Sequence, residues 1–161
     1  MKQGLLLTVA VVLILAGAVT SWWSTPAPDE YGALRRAATL VTRAECVEYL
    51  NGERACQFSD DASTIGSARR WTFLVGMVAS ALLIAAHAAP GGTRARRGLG
   101  VAAIVGSAFA LVAGLGMLCT FIWLATQARL GYPGMGGILF VAGAVLGLRS
   151  SRVVAAADPP A

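Results

Sequence analysis

Four stretches without a single Asp, Glu, Lys or Arg, residues 4–23, 71–89, 98–125 and 133–148, constrain this chain more than any other feature. An α-helix needs about 20 apolar residues to cross the hydrocarbon layer of a membrane. Each stretch is near that length, the fourth a little short and the third long enough to tilt. Backbone N–H and C=O groups find no partner in lipid, so such stretches are expected to be helical. With 57% hydrophobic and only 13% charged residues, the composition is that of a membrane protein. The fold class that follows is an all-α membrane protein, a four-transmembrane-helix bundle forming a single domain with a small disulfide-pinned extracytoplasmic β-hairpin or sheet. Residues 24–70 make an extracytoplasmic loop, residues 90–97 a cytoplasmic linker, and residues 150–161 a tail read as disordered.

Aromatic residues mark the span ends. Trp22 and Trp23 at the end of the first span and Trp71 at the start of the second sit on one membrane face, and Tyr132 opens the fourth span on that face, as interfacial anchors do. The N-terminal segment "MKQGLLLTVAVVLILAGAVTS" also reads as a signal peptide, with Ala16-Gly17-Ala18 as an A-x-A cleavage site. An uncleaved helix is preferred because the apolar run continues past that site to the Trp pair.

Basic residues divide almost evenly between the two faces. Lys2, Arg94, Arg96, Arg97, Arg149 and Arg152 lie on one, and Arg35, Arg36, Arg43, Arg54, Arg69, Arg70 and Arg129 on the other. The linker "PGGTRARRG" carries three arginines and no acid, which places it, and with it both termini, in the cytoplasm of a plasma or bacterial inner membrane. Asp29, Glu30, Glu45, Glu48, Glu53, Asp60 and Asp61 neutralise the long loop, so the net charge of +5 gathers on the linker face and favours anionic headgroups. No nucleic-acid motif accompanies the basic balance.

The long loop contains "CVEYLNGERAC". If Leu50, Asn51 and Gly52 form a three-residue turn with Gly52 in the left-handed conformation, Cys46 falls opposite Cys56. A two-residue Asn51-Gly52 turn instead sets Cys46 across from Gln57. The first register is close enough for a disulfide, which outside the cytoplasm stays oxidised and staples a hairpin of little core. Residues 37–47 are expected to supply its first strand and residues 56–59 its second, with a third from near Trp22 or Tyr31.

Together these features resemble the claudin and peripheral-myelin-protein superfamily: four spans, the paired cysteines of the first outer loop, a Trp at the top of the first helix, "SARRW" entering the second, a basic linker, and a Gly-rich third helix ending "GMLCTFIWLA". The resemblance implies that Cys46 and Cys56 are the loop disulfide, Trp22 or Trp23 the first-helix Trp, and Arg69 or Arg70 the Arg at the start of the second helix. Val41, Thr42 and Arg43 stand where that superfamily has Gly-Leu-Trp, and the terminal "ADPPA" is not a PDZ-binding tail.

Proton relays and ion pathways place ionisable groups inside the membrane, and these spans carry none of the four charged residue types, so neither transport nor catalysis is expected. Small residues at four-residue spacing are arranged for helix contact instead: Ala102, Gly106, Ala110 and Gly114 in the third span, Ala81, Ala85 and Ala89 in the second, and Gly143 with Gly147 in the fourth. His87 has no second ligand near it and reads as a helix-end residue, so no metal or other cofactor is implied. Cys119 reads as a small buried side chain. The function expected is that of a non-enzymatic structural or interaction protein whose partners are the lipid bilayer and either itself or another integral membrane protein. The alternatives are an accessory subunit of a channel, transporter or envelope complex and, further off, a thiol-disulfide membrane oxidoreductase, which would need a C-x-x-C pair.

Overall fold

A computed structural model of the chain describes residues 2–29, 32–40, 43–48, 54–59, 64–91, 93–128 and 132–156. The four apolar runs form α1 (Lys2–Val19), α2 (Thr64–Ala88), α3 (Arg94–Ala128) and α4 (Met135–Ala156). Between them run β1 (Trp23–Asp29), β2 (Gly32–Ala38), β3 (Arg43–Glu48), β4 (Arg54–Ser59) and the two-residue β5 (Tyr132–Pro133). Several hydroxyls inside the helices bond back to their own backbone. Thr72 donates to the carbonyl of Ala68 at 2.9 Å and Ser151 to that of Gly147 at 2.8 Å, which meets the need for a partner where water is absent. α3 opens on an N-cap, the Thr93 hydroxyl accepting from the amide of Arg96 at 3.2 Å.

α4 packs extensively on α1 and on α3, and α2 packs chiefly on α3 with smaller contacts to α1 and α4. The α1–α4 crossing is close because two glycines face each other's helix. A Cβ built on Gly17 would lie 2.5 Å from the backbone N of Phe140, and one on Gly143 would lie 2.7 Å from that of Ile14. Backbone-to-backbone approach of this kind is open to glycine alone.

The strands form one antiparallel sheet in the order β4-β3-β2-β1-β5. It caps the end of the bundle where α1 and α3 finish and α2 and α4 begin, and the turn from α2 to α3 lies at the opposite end. A sheet therefore rests on the helix bundle, larger than the small hairpin or sheet expected: the strands span most of the first long loop, and the fifth comes from the connection between α3 and α4. Residues 37–47 do not form the single strand expected of them. β2 stops at Ala38 and β3 starts at Arg43, because Leu40 turns down into the bundle, 1% exposed, with its amide donating to the carbonyl of Ala18 at 3.2 Å.

Two further boundaries depart from the sequence reading. α1 ends at Val19 and the chain folds back through Trp22. The expected disorder from residue 150 is corrected as far as Ala156: α4 continues that far, with Ser150, Ser151 and Val154 buried against the bundle. Packing on a neighbouring helix, which local composition does not report, holds this last turn.

Three helical segments, 66–88, 94–123 and 135–156, are long and apolar enough to cross a membrane, and Gly4–Val19 is a shorter apolar helix. Their outer surface is apolar as well, with Trp71, Phe109 and Val112 each more than half exposed. A water-soluble chain would leave so large an apolar surface unsatisfied. The chain is an integral membrane protein.

Candidate functional site

The sheet is seated on the bundle by contacts that converge on Trp22. Its indole is fully buried, and Nε1 donates to the carbonyl of Gly17 at 2.7 Å. The ring meets Phe140 of α4 edge-on at 5.7 Å between centroids and Phe121 of α3 at 6.3 Å. The backbone on either side of it is tied to the start of α4: Gly134 donates to the carbonyl of Trp22 at 2.8 Å and Gly136 to that of Ser21 at 3.0 Å. Trp22 is therefore not an interfacial anchor but the central residue of the joint between sheet and helices. Burial of both its apolar body and its N–H is possible because the end of α1 supplies an acceptor. Arg69, only 4% exposed, adds a second tie, donating from Nη1 to the carbonyl of Thr39 beyond the end of β2 at 3.1 Å.

Of the other expected anchors, Trp71 stands 68% exposed on α2 near the sheet end. Trp23 and Tyr132 lie in β1 and β5, their side chains outside the description.

Within the sheet, β3 and β4 pair in the register Glu48↔Arg54, Val47↔Ala55, Cys46↔Cys56, which excludes the alternative partner Gln57 for Cys46. The turn at Asn51 and Gly52 lies outside the described residues, as do the cysteine side chains and hence the disulfide.

Most of the small-residue positions of α3 and α4 are occupied by this chain's own packing. Gly114 faces the ring of Phe140, where a Cβ would come within 2.8 Å of Cδ1, and Ala110 is fully buried. Gly106 lies against Leu82 and Ala79, Gly147 against Leu83 and Ser107, and Gly143 against α1. Ala102 is half-buried. The Ala81, Ala85, Ala89 row is not the contact face of α2: Ala81 is exposed, and the buried face runs through Gly76, Ala79, Leu83 and Ala86. Sequence reasoning missed Gly17 and Gly76, since neither belongs to a glycine ladder within its own helix. Their partner is Phe140, whose ring a Cβ on Gly76 would approach to 2.6 Å.

His87 bridges two helices. A carbonyl only accepts, so its Nδ1 donates to Leu83 at 2.9 Å, and its Nε2 is hydrogen-bonded with the Ser150 hydroxyl of α4 at 3.1 Å. Cys119 is an exposed free thiol on α3, not the buried side chain expected. A groove of about 480 Å³ between α2 and α3 is lined by Trp71, Val75, Ala113, Gly116 and neighbouring residues, none of them ionisable. Among the described residues, no three His, Cys, Asp or Glu converge as metal ligands would. No family model and no curated protein matches the chain.

Proposed function

We propose that this protein is a claudin-like, four-span membrane protein without catalytic activity, and that it works by association with copies of itself through the sheet end. The observation that carries this reading is the division of labour among its surfaces. Gly106, Ala110, Gly114, Gly143 and Gly147 are filled by the chain's own bundle, and the sheet is held above them by Trp22, Leu40 and Arg69. The sheet is then the surface left to meet a partner. α1 is the fourth span and is retained, because the residues that read as a cleavage site contain Gly17, which is wedged against Phe140. Cys46 and Cys56 form a disulfide that staples β3 to β4 on the extracytoplasmic side, with both termini in the cytoplasm.

The test is to tag the C-terminus, extract the protein gently from its membrane, and determine the particle mass together with every chain present at comparable abundance. Integral multiples of this chain support self-association. A fixed complement of a different membrane protein overturns it and makes this chain an accessory subunit of that complex.

A further inference from the structure

The arginines at the end of the bundle opposite the sheet come from two segments far apart in sequence. Arg94, Arg96 and Arg97 form the first turn of α3, and Arg149 and Arg152 lie in the last two turns of α4. The antiparallel packing of these helices brings the segments together, a Cβ on Gly100 lying 3.7 Å from Ala155. Arg97 precedes Gly100 by three positions and Arg152 precedes Ala155 by three, so the two arginines stand about 9 Å apart along the helix axes, within the combined reach of two such side chains. Arg149 and Arg152 are three residues apart and both exposed, so they share one outward face of α4. Long basic side chains at this depth extend toward the headgroup layer.

Among the described residues, no carboxylate lies at this end. Every Asp and Glu among the described residues, Asp29, Glu45 and Glu48, lies in the sheet at the other end. The N-terminus of a 35-residue helix adds its positive dipole end to the arginines.

We infer that the α3 N-terminal turn and the α4 C-terminal turns form a binding site for the phosphate of an anionic phospholipid headgroup, with Arg97 and Arg152 as its nearest pair and Arg94 and Arg149 flanking them. A guanidinium offers paired donors to phosphate oxygens, and a headgroup of net negative charge supplies the counter-charge that a zwitterionic one does not. This site does not depend on self-association, only on membrane insertion.

The experiment uses the full chain purified in a neutral detergent and offered equal amounts of phosphatidylglycerol and phosphatidylcholine, with bound lipid counted by native mass spectrometry. Phosphatidylglycerol is expected to be retained in preference, by about fivefold for each arginine engaged. Arg152→Gln should lower that preference about fivefold, Arg152→Lys should keep most of it, and Arg35→Gln with Arg36→Gln in β2 should leave it unchanged. Equal retention of the two lipids overturns the site, as does an equal loss in the β2 variant. Displacement of the lipid by excess inorganic phosphate would show a site for free anions and overturn the lipid assignment; retention against phosphate supports it.

Discussion

The indole N–H of Trp22 donates to the carbonyl of Gly17 at 2.7 Å, closing the end of α1 on itself and turning the ring into the bundle between Phe121 and Phe140. This one bond lets a tryptophan beyond a helix end become core. Trp22→Ala should destabilise the protein by about 3–5 kcal/mol, the range for losing a large buried aromatic side chain. Trp22→Phe should recover part of that loss while leaving the Gly17 carbonyl without its partner. Unfolding in detergent, followed by near-ultraviolet circular dichroism, checks both; an unchanged midpoint for Trp22→Ala would contradict the central placement of the residue.

Two glycines of α3, two residues apart and so on nearly opposite faces of the helix, make a controlled pair. A Cβ on Gly114 meets the Phe140 ring at 2.8 Å, and one on Gly116 meets nothing within 4 Å. Gly114→Val is expected to cost about 1–3 kcal/mol by overpacking, and Gly116→Val to change stability by well under that. The same denaturation assay distinguishes them, and equal effects would mean that α3 does not meet α4 as described.

Opposing register makes Cys46 and Cys56 candidates for one bridge. Alkylation of the intact protein without reductant should label Cys119 alone, and after reduction all three cysteines, read by mass spectrometry. Cys46→Ser with Cys56→Ser should lower folding yield, since closing this ring is worth about 3 kcal/mol on the chain-entropy model. Unreduced protein labelled at all three positions would exclude the bridge.

Gly17 and Gly143 let α1 lie against α4 at backbone distance, so α1 is built into the bundle. The intact mass of the mature protein should include residues 1–18. Gly17→Leu, which cannot be accommodated at that crossing, should abolish accumulation of folded protein, and Gly4→Leu, with open space around it, should not. A mature mass lacking the first helix would refute this arrangement.

The bridge from Ser150 to His87 joins α4 to α2 at 3.1 Å. Hydrogen bonds between helices within membranes average about 0.6 kcal/mol, so Ser150→Ala is expected to lower stability by about that amount, measurable as a small shift in unfolding midpoint. A loss several times larger would assign the pair more than a helix-to-helix tie.

Local features of the chain determined a good deal by themselves. Uncharged apolar runs dictate helices wherever lipid is the solvent, because backbone polar groups must then be satisfied within the segment, and α2, α3 and α4 follow directly. The spacing around Asn51-Gly52 limited the partners of Cys46 to two, since pairing in a hairpin counts outward from its turn. What each side chain faces was decided only by tertiary structure. Trp22 carries the signature of an interfacial anchor and is core, because Phe121 and Phe140 arrive from helices a hundred residues away in sequence. Ala81 and Ala79 are equally small and two positions apart, yet only Ala79 is buried, because the neighbour of α2 approaches from that side. The fifth strand pairs with the first only because α1 and α4 cross at Gly17 and Gly143. Composition and period specify which segments avoid water or meet lipid; long-range packing selects which face of each segment finds protein, and that choice depends on the shape of every other helix.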